Sequence, residues 1–119
     1  MSCDHGLLYL RASLSLQRKP NSSLRELSKE LHVSRRTIQN VVISVTGKTF
    51  REIQEELLLA RVQTILEANP GVSIKELSRD IGYRCPRSFA RAVRRACGAS
   101  PEQLRARIAR EVVAYSVSH

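Results

Sequence analysis

The stretch TFREIQEELLLARVQTILEAN, residues Thr49–Asn69, decides how the rest of this sequence is organised. It predicts one helix of about twenty residues, which is about 30 Å long at about 1.5 Å per residue. At about 100° per residue its apolar side chains fall on two nearly opposite faces, so the helix needs two packing partners. One face carries Phe50, Ile53, Leu57, Ala60 and Ala68, and the other carries Leu58, Leu59, Val62, Ile65 and Leu66.

The sequences on the two sides of this helix are copies of one short unit. Residues Ser23–Leu31 align with Ser73–Ile81 at an offset of 50, and Thr37–Ile53 align with Ser88–Leu104 at an offset of 51. Apolar positions, capping residues and one glycine coincide between the copies. Because units this short bury little surface alone, we expect both copies to pack on the long helix.

Capping residues and glycines predict the remaining helices. A serine followed three residues later by glutamate is a capping box, and glycine is the preferred C-terminal cap. In each copy these signals bound a short helix, a tight turn and a second helix, which is the helix-turn-helix pattern. We expect an all-α fold of about seven helices, with two helix-turn-helix subdomains joined by the linker helix. The predicted regions are 1–48 (an N-terminal helix and the first motif), 49–69 (the linker) and 70–119 (the second motif and a C-terminal helix).

The apolar pattern also predicts which side chains face the cores. In the N-terminal helix, roughly His5–Gln17, a leucine stripe should cover the first unit; it consists of Leu7, Leu10 and Leu14. In the second helix of the first copy, the inward residues should be Ile38, Val41, Val42 and Val45. The final helix should run to about Ala114.

The composition favours a polyanionic partner. Twenty Lys and Arg against eleven Asp and Glu give a net charge of +9 and an isoelectric point near 10.3. Nucleic acid is the first candidate for such a chain, and an anionic membrane surface is the second. The opening LLYLRASLSL is too short and too charged for a signal peptide or a membrane span, so we expect a cytoplasmic protein with no membrane partner.

Neither catalysis nor a metal site is indicated. The three cysteines, Cys3, Cys85 and Cys97, are odd in number and lack metal-ligand spacing, so we expect no cofactor and no metal. The histidines are scattered, and neither a carboxylate pair in a cleft pattern nor a glycine-rich phosphate loop occurs. The histidines are His5, His32 and His119. An enzyme is therefore disfavoured.

The charges are sorted along the chain. Between Arg84 and Arg110 eight arginines stand against one acidic residue, Glu102, and most of the other acids lie on the first helices of the copies and on the linker. A solvated face accounts for many charge runs, but acids that avoid the second helix of both copies favour contact with phosphate groups. The outward residues of the second helices are Arg36, Gln39, Asn40 and Ile43 in the first copy, and Arg87, Ala90, Arg91 and Arg94 in the second.

These outward side chains match the chemistry of DNA bases. Arginine, glutamine and asparagine carry paired donors and acceptors that fit guanine and adenine edges in the major groove. We therefore predict base reading by Arg36, Gln39, Asn40, Arg87 and Arg91. The predicted phosphate-binding residues flank them and are Ser34, Arg35, Thr37, Lys48, Arg84, Ser88, Arg94 and Arg95.

The sequence resembles the DNA-binding domain of the AraC/XylS family of bacterial transcription regulators. The resemblance covers about residues 22–105 and is carried by LRELSKELHVSRRTIQNVV, TGKTF, LLLARVQTIL and VSIKELSRDIGYRCPRSFARAVRRACGASPEQLR. Its most specific positions are Ile74, Gly82-Tyr83, Phe89, Arg91, Gly98 and Ser100-Pro101. One departure is Arg84-Cys85, which replaces the usual serine or aspartate cap, so we expect a weaker start of the following helix.

The resemblance implies a regulator that binds double-stranded promoter DNA as a monomer and places its two second helices in successive major grooves. It also implies action on RNA polymerase, more often activation, and a cytoplasmic location on the nucleoid when bound. The length fits either a stand-alone regulator or a DNA-binding domain cut from a longer protein. The alternative from another class is a protein-interaction module that antagonises or partners another regulator or RNA polymerase, and a footprint at one promoter separates the two.

Overall fold

The computed structural model describes the backbone of residues 5–118 and the side chains of residues 5–111. Within that range the chain forms seven α-helices and no strand, so the predicted all-α fold is confirmed. The helices are α1 (His5–Arg18), α2 (Leu24–Leu31), α3 (Arg35–Thr46), α4 (Phe50–Ala68), α5 (Ile74–Ile81), α6 (Pro86–Cys97) and α7 (Pro101–Ser118). Cys3 and His119 lie outside the described residues. None of the described helices is long and apolar enough to cross a membrane.

Local hydrogen bonds explain where the helices begin and end. Five serine or threonine hydroxyls accept the backbone N–H three residues later at 3.0–3.2 Å, which satisfies one free donor of each first turn. These capping residues are Ser23, Ser34, Thr49, Ser73 and Ser100. At the other ends, α3 and α6 stop at Gly47 and Gly98, whose φ angles of 74° and 76° favour glycine.

The first compact unit, described from residue 5 to residue 57, packs α1, α2 and α3 against the first part of α4. Two polar side chains form hydrogen bonds between its helices and loops. The Ser15 hydroxyl donates to Glu30 Oε2 at 2.6 Å, which joins α1 to α2. The Gln54 amide of α4 donates to the carbonyls before α2 at 3.0 and 2.5 Å. The core residues are Ala12, Leu16, Leu27, Ile38, Val42, Phe50 and Ile53.

The second compact unit, described from residue 58 to residue 118, has a core that packs the rest of α4 with α5, α6 and α7. Phe89 is completely buried, and its ring lies 5.5 Å from that of Tyr83 between centroids, tilted by 58°. Burial raises the pKa of the Tyr83 phenol. The core residues are Leu58, Val62, Leu66, Val72, Leu77, Ile81, Phe89, Ala92, Val93, Leu104 and Ile108.

Helix α4 contributes one apolar face to each core, as its sequence predicts. Phe50 and Ile53 are buried in the first unit, and Val62 is buried in the second. Ala60 and Ala68 are exposed, however, so the prediction that they belong to the first face's packing is wrong. Both lie beyond residue 57, where the first unit ends.

The predicted packing of α1 is also wrong. Leu7, Leu10 and Leu14 are 47, 53 and 50% exposed. The helix instead buries the neighbouring stripe, which consists of Leu8, Ala12, Ser15 and Leu16. The stripe contains a serine and looks less apolar, but its one polar group is satisfied by the carboxylate of Glu30 on α2.

Two predictions about helix ends need correction. Val45, expected in the core, is 45% exposed because it lies in the last turn of α3, beyond the buried Val41 and Val42. Helix α7 continues to Ser118 rather than Ala114. No glycine or proline follows Ala114 to interrupt it.

Candidate nucleic-acid interface

Helix α3 displays the three predicted base-reading residues of the first unit on one exposed side. Arg36, Gln39 and Asn40 are exposed, whereas Ile38 and Val41 on the opposite side are buried with 1% exposure each. Since residues three and four apart lie on one helix face, the three polar side chains are neighbours. They form a surface with hydrogen-bond donors and acceptors and no acidic group of their own.

The start of α3 is held by hydroxyl groups. The Ser34 hydroxyl accepts the Thr37 N–H at 3.1 Å and lies 2.8 Å from the Thr37 hydroxyl. Ser34 therefore already caps the helix, and the Thr37 hydroxyl is hydrogen-bonded to it. Ser34 and Arg35 are exposed and Thr37 is half-buried. Phosphate binding there would add to the cap, since the first N–H groups of a helix attract anions.

Lys48, also predicted to bind phosphate, is held by a carboxylate. Its ammonium forms a short ion pair with Glu56 of α4. That hydrogen bond is the main reason why the pKa of Lys48 is raised, and the charge of Glu52 adds to it. A phosphate would have to compete with Glu56 for this lysine.

Helix α6 presents a strongly basic exposed side. Arg87, Arg91, Arg94 and Arg95 are exposed, while Phe89 and its neighbours Ala92 and Val93 face the core. The helix contains no acidic residue, and Arg84 and Ser88 near its start are exposed as well. Within residues 5–111, no carboxylate lies within ion-pair distance of any of these five arginines.

The N-terminus of α6 is weakly capped, as its sequence predicts. Cys85 occupies the cap position with φ −135° and ψ 127°, but its side chain makes no cap hydrogen bond. The backbone N–H groups of Ser88 and Arg87 nevertheless lie close enough to hold the pKa of this exposed thiol below its ordinary value. Pro86 at the first helical position supplies a φ angle suited to the helix.

Arg105 belongs to the fold rather than to this basic surface. One of its guanidinium NH groups donates to the Pro70 carbonyl at 2.7 Å, and its Nε lies 3.8 Å from a Glu102 carboxylate oxygen. The charge run in the sequence does not distinguish it from the exposed arginines. The structural role of Gln54 is likewise not visible in the sequence, because its hydrogen-bond partners Pro20 and Ser22 lie more than thirty residues away along the chain.

The structure therefore holds two helix-turn-helix motifs whose second helices differ in charge. Helix α3 offers hydrogen-bonding side chains, and α6 offers unneutralised arginines. Among the described residues, no group of three or more histidine, cysteine or acidic side chains could hold a metal ion.

Comparison with known proteins agrees with this architecture. A family model described as a helix-turn-helix domain matches residues 27–107. The chain is 32% identical over 89 residues, 73% of its length, to the Msm operon regulatory protein of Streptococcus mutans. It spans less than a third of the length of the curated relatives that it matches.

Two solved structures share the fold. The DNA-binding domain of AdpA, a global transcriptional factor solved in complex with a target DNA, superposes with a TM-score of 0.65 at 25% identity. That match covers 88% of this chain and 92% of the AdpA chain. The C-terminal domain of AraT, a response regulator from Geobacillus stearothermophilus, gives a TM-score of 0.71 at 21% identity and covers 87% of each chain. With two helix-turn-helix motifs, a joining helix and a matching family model, the chain belongs to the AraC/XylS family of transcription regulators and carries its DNA-binding domain.

Proposed function

We propose that this chain regulates transcription by binding one promoter site with α3 and α6 as its recognition helices. The observation that carries this proposal is the exposed side of α6, where no carboxylate of the described chain neutralises the arginines. Unneutralised arginines on a second helix are suited to phosphate groups and guanine edges. The AdpA domain, 25% identical to this chain, was solved with its target DNA, which supports the same use here.

The two helices are proposed to enter successive major grooves of the same site. A single chain supplies two recognition helices, so a monomer offers what a dimer of one-motif proteins offers. We therefore propose binding as a monomer.

The proposed division of residues follows the two surfaces. Arg36, Gln39 and Asn40 on α3, with Arg87 and Arg91 on α6, are proposed to read base edges. The phosphate contacts are proposed for Ser34, Arg35, Thr37, Lys48, Arg84, Ser88, Arg94 and Arg95. All of these residues are exposed except Thr37, which is half-buried.

A salt titration tests the proposed binding directly. Each phosphate neutralised contributes about −0.9 to the slope of log K against log salt on duplex DNA, and we expect a total slope of at least about −4. Fluorescence anisotropy with a labelled duplex measures it. A nearly flat titration between low and physiological salt would contradict DNA binding through these arginines.

The effect on transcription is proposed to be activation through RNA polymerase, in the cytoplasm at the nucleoid. Transcription in vitro from a promoter that the protein protects in a footprint tests the sign. We expect more transcript with the protein than without it, and reduced transcript would assign repression instead.

A second candidate function is favoured by α1. Leu10 and Leu14 are about half exposed on a helix that contains no acidic residue. Such a surface suits a protein-interaction module that partners or antagonises another regulator or RNA polymerase. If no promoter fragment is protected while purified RNA polymerase retains the protein, this second candidate replaces the first.

A further inference from the structure

Ile43 stands out on the exposed side of α3. It is 50% exposed and follows Arg36, Gln39 and Asn40 at positions i, i+3, i+4 and i+7 of one face. A homeodomain recognition helix presents its base-contacting side chains in the major groove at this same spacing. The fourth position of that face in this protein is apolar.

Exposure alone does not single out Ile43, because isolated apolar residues are common on protein surfaces. Val45 in the same helix is 45% exposed. Its side chain, however, leaves the helix on the side of the buried Ile38 and Val41, about 160° around the axis from Ile43. Val45 is exposed because it lies one turn beyond the last buried residues of α3. Ile43, by contrast, lies among the side chains that would face DNA.

The corresponding place in the second unit shows what Ile43 replaces. At the offset of 51, Ile43 aligns with Arg94, and the last turn of α6 carries two arginines. The last turn of α3 carries no basic residue. The last turn of α3 therefore offers no charge for a phosphate, and its exposed apolar side chain is suited to an apolar partner on the DNA.

In the major groove one base edge provides such a partner. Adenine, guanine and cytosine present only hydrogen-bond donors and acceptors there, but thymine also presents its C5-methyl group. Contact between that methyl group and a branched aliphatic side chain removes apolar surface of both from water.

We infer that Ile43 is a specificity-determining residue that contacts the C5-methyl group of a thymine in the DNA site. This inference rests on the proposed role of α3 as a recognition helix. The contact adds an apolar reading position to the hydrogen-bonding ones. Burial of one methyl group changes affinity by about fourfold.

Replacement of thymine by deoxyuridine tests the inference, since deoxyuridine keeps the pairing edge and lacks only the methyl group. The preferred duplex is first selected from a random library with the full chain. Each thymine of that duplex is then replaced singly, and binding is measured at fixed salt. We expect one position at which the replacement weakens binding by about fourfold.

The variants Ile43→Ala and Val45→Ala complete the test. Ile43→Ala should bind thymine and deoxyuridine equally at that position, and Val45→Ala should keep the full difference. Ile43→Thr, which retains one methyl group and β-branching, serves as a second variant, and circular dichroism verifies the fold of all three. No sensitive thymine, or an unchanged sensitivity in Ile43→Ala, overturns the inference while the selected sequence still upholds the proposed function. If the selection yields no preferred sequence, both the thymine contact of Ile43 and the proposed sequence-specific binding are wrong.

Discussion

The two units share one pattern of helices but treat their charges differently. In the first unit Arg18, Lys19 and Lys48 are each paired with a glutamate. In the second, the arginines of α6 have no carboxylate partner among the described side chains, and only Arg105 lies near one. The first unit thus pairs three of its cations, although Arg35 and Arg36 of α3 have no carboxylate within ion-pair distance among the described side chains. Helix α6 has no paired arginine in that part of the chain. The two units therefore share their order of helices and the apolar character of their core positions, while their surface charges differ.

The cores diverge in one respect, and a truncation in the second unit should have the largest effect. Phe89 is completely buried beside Tyr83, and the aligned positions in the first unit hold Ile38 and Val33. We expect Phe89→Ala to lower the free energy of unfolding by about 3–5 kcal/mol, because it leaves a cavity the size of an aromatic ring. Urea denaturation followed by circular dichroism measures this.

The surface variant Val45→Ala is its control, since an exposed valine should change stability by less than about 0.5 kcal/mol. If Phe89→Ala costs less than about 1 kcal/mol, the second core does not depend on its aromatic residue in the way that the burial indicates.

The two recognition helices should respond differently to alanine substitutions when DNA binding is measured. Gln39→Ala combined with Asn40→Ala should cost roughly 1–3 kcal/mol on the preferred site and little on random DNA, because base-reading groups are lost. Arg94→Ala combined with Arg95→Ala should weaken both kinds of DNA and flatten the salt slope by about one unit per arginine. Competition binding with preferred and scrambled duplexes at fixed salt measures both ratios.

Arg91 belongs in neither double variant, because an arginine at that place can reach a guanine as well as a phosphate. Should the first double variant keep the full ratio between preferred and scrambled DNA, α3 is not the main reader. The assignment of base reading mainly to α3 and of phosphate binding mainly to α6 would then be wrong.

The sequence predicts most of the helix boundaries because these depend on local chemistry. Helix α3 begins after Ser34 and ends at Gly47, and the hydrogen bonds at both ends span only three or four residues. Such local signals can be recognised in the sequence alone. The rotation of α1 depends instead on a distant residue. Its buried stripe includes Ser15, whose hydroxyl donates to Glu30 of α2, and no periodicity reveals that partner.

The candidate interface shows the same limit. Exposure of Gln39 and Asn40 follows from the helical pattern, and the structure agrees. The ion pair of Lys48 with Glu56 joins residues eight apart in the sequence, and the hydrogen bond from Arg105 to the Pro70 carbonyl joins residues 35 apart. Runs of charge in the sequence therefore predict which surface is basic, but not which of its lysines and arginines are already bonded to other groups of the protein.

A smaller effect is expected at the cap of α6. Ser34 caps α3 with a hydrogen bond, whereas Cys85 makes none at the matching place of the second unit. Cys85→Ser should raise the Tm by roughly 2–6 °C, because serine accepts an N–H of the first turn. Thermal unfolding at pH 6.5 measures the shift, and an unchanged Tm would show that Pro86 already suffices.

The rise in Tm caused by Cys85→Ser should be smaller at high pH. The pKa of Cys85 is lowered in the folded state by the N–H groups of Ser88 and Arg87. A lowered pKa contributes stability that is present above the unfolded value, about 8.5, and is lost as pH falls through the folded value. At pH 9 the parent thiolate is itself an acceptor, so the difference in Tm from Cys85→Ser should be smaller than at pH 6.5.

The smallest effect concerns the turn of the first motif. His32 has a φ of 57°, while Gly82 ends the corresponding helix of the second unit at 110°. A non-glycine residue is strained by about 1–2 kcal/mol in this left-handed region, and the larger chain entropy that glycine loses on folding, about 0.5–1 kcal/mol, offsets only part of that strain. We expect His32→Gly to raise the Tm by roughly 2 °C. His32→Ala keeps the strain and removes the imidazole, so its Tm should not rise. If His32→Ala gives the same gain as His32→Gly, the imidazole and not the backbone is what destabilises this turn, and the two turns are equivalent in strain.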